Sequence, residues 1–163
     1  MEPSQSLPEI VAAAQAKAKT SADQIIEISN QIDGVGASTE DLQTAIVALE
    51  LIAIDTFTLF EARMQHHFRR GPFSRKLQAK LLAEGQADLA DRVHQYYLAI
   101  NVLKHGTGAS YRDLVDMKNR RFDLNKVDVG NPFPTGLVDV TSEGFFDELS
   151  ATVLDAYEFL ETA

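Results

Sequence analysis

The 163-residue chain contains no cysteine. That excludes thiol catalysis, iron–sulfur ligation and thiolate zinc sites. No disulfide is needed either, because a chain of this size buries roughly 70% of its unfolded surface. Long hydrophobic runs are also missing. The most apolar stretch, 45–60, is interrupted by Glu50 and Asp55, and it is too short and too charged to span a bilayer. The N-terminal MEPSQSLPEI carries an acid at position 2 and no basic segment, so no secretory signal is read and a cytoplasmic location is expected. There is no internal repeat, no low-complexity tract and no serine-triad, Walker or dinucleotide signature. What remains is ordinary: 45% apolar and 24% charged residues, as in globular domains. The net charge of −9 disfavours indiscriminate binding to nucleic acid or anionic lipid.

That charge is unevenly spread. Residues 1–62 hold 2 basic and 10 acidic side chains, 63–126 hold 13 and 6, and 127–163 hold none and 8. Two readings follow. Acidic outer segments can pair with a basic middle, within a subunit or across a dimer. Alternatively, the middle carries a local surface for a polyanion, which overall acidity does not forbid.

Hydrophobic spacing predicts an all-α bundle in a single domain, 1–163, with four long and two short helices. A first helix, within 1–37, starts at Ser6, which forms a capping box with Glu9, and stops at Gly34-Val35-Gly36. A second starts at a box of Ser38 and Asp41 and runs to about Arg70, before Gly71-Pro72. It is apolar nearly all round, which predicts a central helix, buried by several neighbours or by a partner subunit. A shorter helix spans Phe73 to Glu84, with Gly85 as its stop. The next spans Gln86 to His105, with Gly106 just past its end. Ser110 and Asp113 are read as capping a short helix to about Lys118. Residues 119–141 alternate in character and predict an extended arm or small hairpin. Thr141 or Ser142 is then expected to cap the last helix.

The candidate chemistry lies on the fourth helix. His94, Tyr97, Asn101 and His105 recur at steps of three, four and four, and so form one polar stripe beside the apolar face. Asn101 and His105 are one turn apart and can address a single phosphate or a single buried partner. The negative end of the helix dipole favours an imidazolium at position 105, which suits a general acid or a phosphate contact. A second constellation is the run from Glu61 to Arg70. Six of the fifteen basic residues fall within 63–80, with His66, His67 and Phe68 among them. Arg69 and Arg70 there are candidate phosphate contacts. A carboxylate–histidine metal centre is a third reading, since Asp91 and His94 have the i, i+3 spacing of a ligand pair and Asp55, Glu61, His66 and His67 could supply more. A di-iron bundle expects two Glu-x-x-His pairs and two further glutamates, so neither metal nor other cofactor is expected.

The run Asn101-Val-Leu-Lys-His105-Gly106 resembles the core motif of HEPN domains (higher eukaryote and prokaryote nucleotide-binding). In that family an Arg, a polar residue, three further residues and a His end a long helix of an all-α bundle. The resemblance covers about residues 38–160 in architecture and about ten residues in motif. It implies a homodimer whose shared groove binds RNA, with metal-independent ribonuclease activity in members that keep the Arg. Here that position is Ile100, so only Asn101 and His105 carry over. The expectation is therefore a non-catalytic or weakly active member. It would bind RNA or a nucleotide phosphate through Asn101, His105, Lys104 and Arg112, with Arg69 and Arg70 of the second constellation as further candidate phosphate contacts. The resemblance also implies a toxin–antitoxin or defence setting and a cognate protein partner. The alternative is a purely structural, dimeric interaction module. No membrane partner is expected.

Overall fold

The computed structural model describes residues 5–31, 39–125 and 136–162. Six α-helices make up the described chain, as the periodicity predicts: α1 (Leu7–Gln31), α2 (Thr39–Met64), α3 (Phe73–Ala83), α4 (Ala87–His105), α5 (Ala109–Asp116) and α6 (Phe145–Thr162). Among the described residues none is long and apolar enough to cross a membrane. The predicted stops at Gly34–Gly36 and the cap at Ser38 lie outside the described residues.

Long α1 and α2 pack against one another, and both pack on α6. Ser6 caps α1, accepting the Glu9 N–H on its hydroxyl at 3.3 Å. Arg63, near the end of α2, donates to the Gln5 carbonyl at 2.8 Å and fixes the antiparallel register. Within one chain α2 packs on α1, α4 and α6 but is enclosed on one face only. Its inner face, Leu49, Ala53, Phe57, Phe60 and Met64, is buried, but Leu51 on the outer face is 51% exposed. The enclosed helix is α4. It packs against α2, α3, α5 and α6, and ten of its residues from Leu89 to Leu103 are buried. Its shorter apolar stripe concealed this, because Ala90, Ala99 and Gln95 also face neighbours.

Three helix ends differ from expectation, each for a local reason. α2 stops at Met64 and tightens into a single 3-10 turn, Gln65–His67, before Phe68 turns extended. α5 starts at Ala109 with Gly108 at its cap position, so Ser110 lies inside the helix and its hydroxyl is used elsewhere. Neither Thr141 nor Ser142 caps α6 through its side chain. The hydroxyl of Ser142 accepts the Asp123 N–H and that of Thr141 donates to Asp139, while the Gly144 carbonyl takes the first helical bond, from Glu148.

The excursion before α6 folds back on its own bundle. Leu124 and Val138 form an antiparallel bridge, flanked by bonds from Asn125 N–H to Leu137 O and from Asp139 N–H to Asp123 O, each 2.9 Å. Residues 126–135 between these arms lie outside the described residues. The arms bury Phe122, Leu137, Val138 and Val140. Phe122, Tyr96 and Phe145 then meet ring to ring at 5.4–5.5 Å. A second aromatic group, Phe57, Phe60, Phe73 and Phe68, fills the opposite end, beneath the α2–α3 connector.

Candidate phosphate-contact site at the end of helix α4

The site is positioned by two glycine-ended helices. α3 closes in a Schellman motif: Gln86 N–H reaches Leu81 O at 2.8 Å and Gly85 N–H reaches Leu82 O at 3.2 Å, with Gly85 at φ +78°. The short connector folds α4 antiparallel against α3. Eleven residues of α3 span about 16 Å and the nineteen of α4 about 28 Å, so the last turns of α4 extend beyond the start of α3. Gly106, at φ +79°, ends α4 by donating to Val102 O.

Around this end the side chains separate sharply. Ile100 is 1% exposed and packed in the core. Lys104 and His105 are exposed. Asn101 is half-buried, and its amide Nδ2 donates to Ser110 Oγ at 3.3 Å, tying α4 to α5. Asn101 and His105 thus share a face but differ in circumstance: the amide is engaged internally and the imidazole faces solvent. Arg112 is exposed on α5, and Arg69 and Arg70 are exposed in the α2–α3 connector. No ion pair among the described residues holds Lys104, Arg69, Arg70 or Arg112.

Glu61 links the connector to this end. Half-buried near the end of α2, it has Lys104 as its cationic neighbour, and the Ser74 hydroxyl lies close by. The Ser74 oxygen is itself buried without a partner that meets hydrogen-bond geometry. Burial raises the Glu61 pKa above its ordinary range, and the nearby Lys104 ammonium opposes the rise.

The rest of the polar stripe is structural. Tyr97 packs on the core, and His94 is half-buried with its Nδ1 unpartnered among the described residues. Asp91, the other half of the supposed metal pair, is engaged by Gln95 and Arg121. Gln95, which the periodicity did not single out, is 1% exposed and fully used. Its amide donates to Asp91 and to Asn119 O, both at 3.0 Å, and its oxygen accepts the Arg121 N–H at 2.9 Å. Arg92 and Arg121 are both held in ion pairs. Arg92 binds Asp88 at 3.1 Å and Asp155 at 3.0 Å. Arg121 binds Asp88 at 2.9 Å, Asp91 at 3.1 Å and Glu148 at 3.4 Å. Its hydrogen bond holds the Asp88 carboxyl below the ordinary range. Part of the basic middle is therefore neutralised by α6, as the compensating-charge reading expects.

Comparison with protein-family models, curated proteins and solved structures gave no significant match for this chain.

Two features have no signal in sequence spacing. A cleft of about 660 Å³ opens between α1 and the start of α6, lined by Lys19, Ile25, Leu49 and Phe146 among others. None of the candidate site residues lines it, and its charged groups are Lys19, Glu143 and Asp147. Elsewhere, His66 and His67 of the 3-10 turn meet Glu161 of α6, whose carboxylate lies 3.3 Å from His67 Nε2. Glu161 is 94 residues from His67, so spacing could not join them.

Proposed function

We propose that the chain is a HEPN-like domain lacking the catalytic arginine, which holds RNA or a nucleotide phosphate at the end of α4, in a groove shared by two copies. The supporting observation is the contrast within one turn of helix: Ile100 is sealed in the core, whereas Lys104 and His105 are exposed. A nuclease of this type needs an arginine fork at position 100 to stabilise charge on phosphorus, and isoleucine has no donor to offer. Phosphate recognition is less demanding. It needs only N–H groups and cations within reach, and Lys104, His105 and Arg112, with Arg69 and Arg70 in the connector, supply them. A defence or toxin–antitoxin setting, with a cognate partner, follows from the resemblance alone.

The test is fluorescence anisotropy with a short single-stranded RNA, alongside a thermal-shift screen with nucleotides. The expected result is binding without cleavage, weakened several-fold in His105→Ala and in Lys104→Ala while circular dichroism is unchanged. Full binding by the doubly substituted protein would remove this reading.

A structural, dimeric interaction module is the second reading. The outward Leu51 of α2 favours it, as does the internal use of Asn101. It predicts a stable dimer by light scattering that no nucleotide stabilises thermally.

A further inference from the structure

We propose that His66, His67 and Glu161 form a binding site for a divalent transition-metal ion of the zinc class, which ties the last turn of α6 to the turn after α2. One ring nitrogen from each histidine and one carboxylate oxygen lie within 4.8 Å of one another. The 3-10 turn achieves this convergence by bringing the two imidazole rings to 4.2 Å, tilted by 34°. His66 Nδ1 lies 2.9 Å from the Arg63 carbonyl oxygen. A ring N–H donating there fixes the tautomer and leaves Nε2 with its lone pair outward. Backbone carbonyls commonly orient metal-binding histidines in this way.

The spacing also fits. Zinc bonds of 2.0–2.2 Å to nitrogen and oxygen in a tetrahedron put neighbouring donors about 3.4 Å apart. His67 Nε2 and Glu161 Oε1 are already at 3.3 Å. The third donor, on exposed His66, already lies within 4.8 Å of the other two. Two imidazoles and one carboxylate select a borderline ion over magnesium or calcium, which take oxygen ligands. Three protein donors leave a position for water, as in open zinc sites.

The last turn of α6 contains Glu161 and no basic residue, at the negative end of the helix dipole, which favours a cation there. The site does not depend on phosphate binding, since none of its three donors is among the proposed phosphate contacts.

The experiment is titration of the untagged, chelator-treated protein with zinc sulfate, followed by calorimetry, with cobalt(II) absorption as a second readout. The expected result is one equivalent of zinc per chain and a higher melting temperature. His67→Gln and Glu161→Gln should each weaken binding at least tenfold with circular dichroism unchanged, while His105→Ala leaves it intact. Cobalt should give visible bands of tetrahedral or five-coordinate geometry that Glu161→Gln removes. No binding, sub-stoichiometric binding, or binding that survives both His67→Gln and Glu161→Gln would overturn the proposal, leaving an ordinary histidine–glutamate ion pair.

Discussion

Two buried side chains, Glu50 and Ile100, make predictions of opposite kinds. Glu50 is 5% exposed and accepts the Gly136 N–H at 2.9 Å. Burial raises its pKa above the ordinary glutamate range, and the backbone bond only partly opposes the rise. The folded state therefore holds the Glu50 proton more tightly than the unfolded chain does. The stability this contributes is complete below the ordinary glutamate range and is lost as pH rises through the raised value. Glu50→Gln removes that titration. The variant should be more stable than the wild type at pH 7, and the two should converge as the solution is acidified. Melting temperatures across pH check this, and parallel curves would refute it. Ile100 makes the converse point. Ile100→Arg, which would supply the arginine of the proposed family, would bury a guanidinium in a dry core with no partner. The loss should be several kcal/mol, on the order of 3–5, read as a collapse of the urea midpoint. A stable Ile100→Arg protein that cleaves RNA would instead mean that the position opens to solvent.

Helix ends show which elements were legible in the sequence. Gly85 and Gly106 were read as stops, and both occupy positive φ there. The reason is local: only glycine takes that conformation without penalty, so the residue itself reveals the position. A Cβ at Gly85 would meet nothing within 4 Å, so Gly85→Ala isolates the backbone term. It should cost about 1–2 kcal/mol and lower the urea midpoint with an unchanged slope. Serine and threonine caps were less legible because a hydroxyl has several possible partners. Ser6 caps α1 as expected, but Ser110 serves Asn101 and Ser142 serves Asp123. The same holds for the site. The stripe of His94, Tyr97, Asn101 and His105 was visible as spacing, and the burial of Ile100 was visible as part of the apolar face. Spacing could not distinguish the internally bonded Asn101 from the exposed His105, nor reveal Gln95 as the polar centre linking α4 to Arg121. Those depend on which chain segment returns to which helix, and the returning segments are 9 and 26 residues away.

On the scale of the whole molecule, the uneven charge separates two jobs. Arg92 and Arg121 join α4 to α6 and to the arm by ion pairs with Asp88, Asp91, Glu148 and Asp155. This consumes cations on the half of α4 nearest its start. Lys104, Arg112, Arg69 and Arg70, none of which enters an ion pair among the described residues, are those proposed to meet phosphate. A chain of net charge −9 should repel a polyanion at long range and hold it only by contact. Its affinity for single-stranded RNA should then depend on salt through a few released counterions. Four phosphate contacts give a slope of log K against log salt of about −3, from about −0.7 per contact. Substituting Arg69 and Arg70 together by glutamine should flatten the slope to about −1.4, on the same per-contact figure, and weaken binding alike for every RNA sequence. Glutamine substitution of Arg92 should instead leave the slope unchanged and lower the melting temperature, because that guanidinium is already engaged by Asp88 and Asp155. A slope near zero in the wild type would mean that these four cations do not contact phosphate, and the interaction-module reading would then account for the exposed Leu51 and the internally bonded Asn101 without them.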